Sequence, residues 1–219
     1  MDHELHWSLD GTAVRLLGDR ALYWPEEQVL MIADLHLGKA DLFRRAGIAL
    51  PAGGTHADLQ RLQALLIRTG ARQLWVLGDL LHGRVHRSAW REHWLHWRQR
   101  NAGIDVHVVV GNHDRALPGA QLGVQIHHDT VALGPFLLAH DPVAAPLAGT
   151  HTGHFIGGHL HPIVSLPGVP RRFPAFWLRS GSTVLPAFSA FTAGVVPDLR
   201  RGERLVVCVE GHAMALPER

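Results

Sequence analysis

Three largely apolar segments mark the first half of the chain. They cover residues 28–33, 73–77 and 105–110. Each reads as a strand buried on both faces. Between them, leucines at 59, 62, 65 and 66 fall on one helical face, which predicts a helix over 55–69. A second helix is predicted over 86–100, with Trp90, Trp94 and Trp97 at i, i+4 and i+7. That stripe reads as core, and Arg87, Arg91, Arg98 and Arg100 beside it read as better contacts for an acidic partner. The order strand–helix–strand–helix–strand implies parallel strands.

Beyond residue 120 the apolar segments shorten and crowd together: 123–127, 130–133, 136–139, 154–157, 163–166, 174–179 and 204–209. This half predicts a second, more antiparallel sheet. The whole reads as an α/β fold, a four-layer αββα sandwich of two packed mixed sheets flanked by helices. With no repeat, linker or low-complexity tract, residues 1–219 form one expected domain.

The polar residues that stop these strands carry the chemistry. Ligands in open α/β sheets sit outside the carboxyl ends of strands, so the stops should converge. They are Asp34-Leu35-His36, Gly78-Asp79, Gly111-Asn112-His113-Asp114, His140 and Gly158-His159-Leu160-His161. Carboxylates, imidazoles and one amide oxygen suit borderline divalent metals: manganese first, with iron or zinc as alternatives. A two-metal site clamps the attacking and leaving oxygens of a displacement and needs a bridging carboxylate. Asp79, at a strand end, is the natural bridge. His113 follows the ligand Asn112 and points elsewhere. With Asp114 holding its tautomer, it is placed to protonate a leaving oxygen.

Composition agrees with this picture. The 219 residues carry 18 histidines, about 8% of the chain, and imidazole is the commonest metal ligand. Apolar residues make up 47% and charged residues 18%, which excludes wholesale disorder. The net charge is only +2, and Lys39 is the single lysine; nucleic acid is permitted, not demanded. Cys208 is the only cysteine, so neither an internal disulfide nor a cysteine-based zinc site is expected. No apolar run reaches membrane-spanning length and the N-terminus lacks a secretory pattern. A cytoplasmic, membrane-free protein is expected.

The ordered set of stops resembles the calcineurin-like metallophosphoesterase superfamily. That resemblance implies a first metal on Asp34, His36, Asp79 and His161, and a second on Asp79, Asn112, His140 and His159. It implies His113 at the scissile phosphate or leaving group, and in-line attack by a metal-bridging hydroxide with no covalent intermediate. Ala21-Leu22-Tyr23-Trp24-Pro25, the stretch 33–39, Phe43-Arg44, Gly47-Ile48, His161-Pro162 and Leu185-Pro186-Ala187-Phe188 narrow it. Together they are similar to the bacterial ligase-associated DNA damage response endonuclease family. Ser189 stands where that family's pattern has a glycine. The narrower likeness implies a DNA phosphodiesterase working in repair near an ATP-dependent DNA ligase and a helicase. A phosphatase or pyrophosphatase on small nucleotide or signalling phosphoesters is the alternative that the same motifs allow. Lys39, Arg44, His82 and Arg84 are the candidate substrate contacts, as cations or donors for phosphate oxygens. Of the remaining histidines, His93, His96, His127, His128, His151 and His154 are expected on loops or the surface.

Overall fold

A computed structural model describes residues 4–48, 53–82, 89–118, 120–143, 153–190 and 192–218. Two sheets face each other. The first has seven strands in sequence order, β1 (Glu4–Leu9), β2 (Thr12–Leu17), β3 (Ala21–Trp24), β4 (Val29–Ile32), β5 (Gln73–Leu77), β6 (Asp105–Val109) and β7 (Gln125–His127). β1 to β4 are antiparallel, and β4 to β7 run parallel.

Helices α2 (Gly54–Thr69) and α3 (Ala89–Arg100) cross between the parallel strands; a short helix, α1 (Lys39–Arg45), follows β4. Residue 123–127 was read with the second sheet, yet β7 closes the parallel edge of the first. The N-terminal hairpins were not expected from the pattern at all. Their strands are short, and before Leu16 and Leu17 only Leu9 and Val14 are buried among half-buried and exposed positions.

The second sheet runs β15 (His212–Ala215), β14 (Arg204–Val209), β12 (Arg172–Arg179), β13 (Ser182–Val184), β10 (His154–Gly157), β9 (Phe136–Leu138) and β8 (Val131–Leu133), and β11 (Ile163–Ser165) pairs with β12. It is mostly antiparallel, as expected, but β9, β10 and β13 are parallel. These carry the site.

Strand β4 shows why the fold closes. Leu30 and Ile32 pack towards the helices with Leu62, Leu65, Trp94 and Trp97. Val29 and Met31 face the other sheet with Trp75, Phe136, Ile156 and Phe176. Both faces are buried, hence the unbroken apolar run. Trp94 and Trp97 are fully buried. Arg91 and Arg98 are spent on backbone carbonyls of Ala120, Gly123, Asn101 and Ile104; Arg87 lies outside the described residues. The outer face of the second sheet bears a small cluster, Phe173, Ala175, Leu205 and Val207 with Leu166, Leu199 and Leu216. No helix lies over it among the described residues, so that fourth layer is made of strand ends and extended chain. Among the described residues, no helix is long and apolar enough to cross a membrane.

Candidate metal centre

The strand ends converge. The segment leaving β4 pairs with the segment leaving β5: the N–H of Asp34 donates to the Gly78 carbonyl, that of His36 to Asp79, and that of Leu37 to Leu80. This zipper puts Asp34, His36 and Asp79 in one place. All three are buried, at 0%, 3% and 2% exposure. Their backbones pay for it. Asp34, His36, Asp79, His159 and His161 all have positive φ, a region that costs a non-glycine residue energy and gathers at functional sites. Glycines clear the space beside them. A Cβ on Gly111 would strike the Asp79 carboxylate, one on Gly158 the Asp34 carboxylate, and one on Gly78 the His140 ring.

Each carboxylate is held by one oxygen and offers the other. The N–H of His159 donates to Asp34 Oδ2 at 2.9 Å, and that of His113 donates to Asp79 Oδ1 at 2.9 Å. Asp34 Oδ1 faces His161 Nε2 at 3.4 Å and His140 Nδ1 at 3.9 Å. Asp79 Oδ2 lies 3.9 Å from His36 Nε2 and 3.8 Å from His140 Nε2. Such separations suit donors sharing a cation at bonding distances of about 2.0–2.2 Å. Two clusters meet the requirements of a metal: Asp34, His36 and His161, and Asp34, Asp79 and His140. Asn112 Oδ1 and His159 Nδ1 approach His140 Nε2 at 3.0 and 2.9 Å. All seven residues expected as ligands therefore meet.

The donor set fits divalent metal. Asp34 Oδ1, His36 Nε2, His140 Nδ1 and His161 Nε2 are buried without a hydrogen-bond partner. Unpaired buried polar atoms are costly, and cations in the two clusters would satisfy all four. Burial above all, with Lys39 and neighbouring imidazoles adding to it, pushes His36 down to about 2, keeping its ring neutral as ligation requires. Burial opposes a charge on His161 too, but the Asp34 carboxylate facing it outweighs that and raises its pKa.

His113 and His82 stack beside the ligands, with ring centroids 4.9 Å apart, and both pack edge-on to His36. Burial lowers His82 to about 4. Asp114 differs from its expected part. Its carboxylate accepts from the N–H groups of Leu80, Leu81 and Gly111, so it ties the β5 and β6 loops together and makes no bond to the His113 ring. Burial raises it to about 6.

Among the other candidates, Lys39 is half-buried and close enough to Asp34 and Asp79 to feel their charge, though burial lowers its pKa. Arg44 is exposed on α1 and bonded to Asp41. Arg84 lies outside the described residues. Ser189 is buried, and its N–H donates to the Asp34 carbonyl at 3.2 Å. The loop it sits on is clamped by Arg20 and Arg61, which donate to the Phe188 carbonyl. Sequence reasoning missed this pair; no local pattern marks a loop held by residues more than a hundred positions away.

A family model described as calcineurin-like phosphoesterase matches residues 28–180. Among solved structures, the chain is similar to the Pseudomonas putida nuclease MPE. Identity is 34% over 97% of this chain and 100% of that one, with a TM-score of 0.82. It also matches the Aquifex aeolicus protein AQ665 at 18% identity, covering 61% of this chain and 78% of that one, with a TM-score of 0.43. No curated protein matches.

Proposed function

The chain belongs to the calcineurin-like phosphoesterase family and is a metal-dependent phosphoesterase, and from that premise we propose that it is a two-metal phosphodiesterase that cuts DNA. One observation carries the reading: buried ligand atoms on His36, His140 and His161 lack partners, and a single oxygen, Asp79 Oδ2, lies 3.9 Å from His36 Nε2 and 3.8 Å from His140 Nε2, where one carboxylate can serve two ions. The nuclease relative, whose whole length this chain matches, supports a nucleic acid substrate. Action in repair beside an ATP-dependent DNA ligase and a helicase belongs to the same reading.

Asp34, His36, Asp79 and His161 would hold one ion, and Asp79, Asn112, His140 and His159 the other, with Asp79 as bridge. When bound, a pair of divalent ions supplies Lewis acidity to the phosphoryl oxygens and a water activated near neutral pH. The protein's own part is positioning. The N–H groups of His159 and His113 fix the two carboxylates with one oxygen each turned inward. Asp114 clips the Leu80–Leu81 and Gly111 backbones together, which sets the spacing of Asp79 and Asn112. His113 gives a ring proton to the leaving oxygen, its plane set by the stack on His82. Lys39 adds positive charge for a non-bridging phosphate oxygen.

Four histidine donors favour manganese over magnesium. The test is turnover of bis-p-nitrophenyl phosphate and of DNA with manganese, magnesium and chelator, with metal counted per chain. Two ions per chain and faster turnover with manganese are expected. A single ion at saturating manganese contradicts the two-metal reading, equal rates with magnesium contradict the manganese preference, and inert DNA contradicts the substrate.

A further inference from the structure

A cleft of about 310 Å³ opens beside the metal centre and shares His161 with it. His161 presents Nε2 to Asp34, and its Nδ1 is held by the Ala193 carbonyl at 2.8 Å, so one ring walls both spaces. Pro162, Pro174 and Ala190 give the cleft flat apolar surface, and Arg20 and Arg172 give it charge. No carboxylate lines it among the described residues. Arg172 is exposed and has no ionic partner among the described residues. Among the described residues the Arg20 guanidinium donates to the carbonyls of Phe188 and Ser189, with Asp58 and Asp19 near enough to act on its charge from outside the cleft. Two guanidiniums without a lining carboxylate call for an anion, and the apolar walls call for a flat ring or sugar against it. The volume is at the small end of ligand sites, about 300–1,000 Å³, which is room for one nucleotide unit and no more.

We propose that this cleft is the subsite for the nucleotide next to the scissile phosphodiester, with that nucleotide's own phosphate on Arg172 and Arg20 and its base or sugar against Pro162 and Pro174. The strand then crosses the metal centre and turns past His161 towards β12. This deepens the DNA reading and rests on it: it makes the enzyme prefer a chain of nucleotides over an isolated diester.

The test compares Arg172→Ala with Arg171→Ala. Arg171 is the neighbouring cation, but it bonds Glu210 and lies over the Phe173 ring, outside the cleft. Both variants remove one positive charge, and circular dichroism checks their folding. Binding of a short fluorescein-labelled single-stranded oligodeoxynucleotide to the full chain is read by anisotropy in chelator, where nothing is cut. Arg172→Ala should weaken binding about tenfold and flatten the dependence of log K on log salt by about 0.7, the loss of one phosphate contact on a single strand. With manganese, its ratio of kcat/KM on DNA to that on bis-p-nitrophenyl phosphate should fall by the same factor. Arg171→Ala should keep the parental salt slope. Ala190→Trp, which fills the cleft without touching charge, should also lower the DNA-to-diester ratio. Equal effects of the two arginine substitutions, or an unchanged ratio in both Arg172→Ala and Ala190→Trp, overturn the subsite while leaving DNA cleavage standing. A parent chain that hydrolyses the small diester but neither binds nor cuts DNA overturns the DNA reading, and the subsite falls with it.

Discussion

The two ends of β10 hold histidines in opposite circumstances. At its start, His154 is buried and has both nitrogens engaged, Nδ1 with Asp10 Oδ2 at 3.0 Å and Nε2 with Thr183 Oγ1 at 2.8 Å. Just past its end, His161 is anchored through Nδ1 while its buried Nε2 has no hydrogen-bond partner. The residue type is the same, and His161 is the less buried ring; what differs is whether the protein has finished satisfying the ring. A finished imidazole is architecture. An unfinished one, beside an unfinished carboxylate oxygen, fits the ligand role proposed for it. His107 and His127 fall on the finished side, bonded to each other at 3.1 Å and stacked on Trp75.

The strongest challenge to that contrast is to remove a shared carboxylate. Asp34→Asn and Asp79→Asn should each cost turnover more than a hundredfold, beyond the 10–100-fold typical of residues that only support a ligand. Both clusters should lose metal together, because Asp34 belongs to both and Asp79 reaches His36 and His140 through one oxygen. Metal analysis at saturating manganese checks it; either variant holding two ions with normal turnover breaks the distinction.

Next comes a histidine at the centre that is not a ligand. His113→Ala should cost about 10²–10⁴ in rate on DNA, the range of general acid–base help, with metal content kept. On bis-p-nitrophenyl phosphate, whose phenolate departs readily, the loss should be much smaller. Equal losses on both substrates make His113 a binding residue, and loss of metal makes it a ligand.

How far the sequence foretold this division follows from which contacts are local. Asp34, Asp79 and Asn112 were readable because each directly ends a buried parallel strand, and such ends converge by topology. His154 was not. It lies five residues before His159 and was expected on a loop or the surface, but its partners, Asp10 and Thr183, come from the turn after β1 and from β13. His127 misled in the same way: its burial depends on His107 and Trp75, one and two strands away. The positive φ of five candidate ligands left no mark on the residue string beyond neighbouring glycines. Asp114 was read for the ring beside it, yet its bonds go to backbone that only the folded β5–β6 pairing brings within reach.

On the finished side, substitution should touch stability alone. His154→Ala strands the buried Thr183 hydroxyl and leaves Asp10 without its partner, a loss of about 1–3 kcal/mol. For a chain of this size that lowers Tm by several degrees. Metal content and kcat/KM at a temperature where the variant is folded should match the parent. A thermal melt with metal analysis checks both, and lost metal would place His154 on the unfinished side after all.

The smallest effect is one of pH, and it sharpens the contrast from the protein side. Burial lowers the His154 pKa, and the Asp10 hydrogen bond and charge oppose that only in part. The unfolded chain therefore takes up a proton at His154 at a higher pH than the folded one does. Where the unfolded state binds more protons, stability rises with pH. Read downward, stability is lost as pH drops through the ordinary histidine range near 6.5, and the loss levels off below the lowered folded value. Burial lowers His107 as well, with His127 adding to it, so it tilts the same way. The raised Asp114 tilts the other way: folded protein binds that proton from about pH 6 downward, before the unfolded chain does, and part of the loss is offset. His154→Gln removes one titrating group and can still bond Thr183 or Asp10, so its Tm should fall less steeply than the parent's between neutral pH and about pH 5. Parallel melting curves across that range, in chelator so that ligation does not enter, decide it. Identical slopes would mean that His154 titrates alike in both states, and that its two hydrogen bonds fully offset its burial.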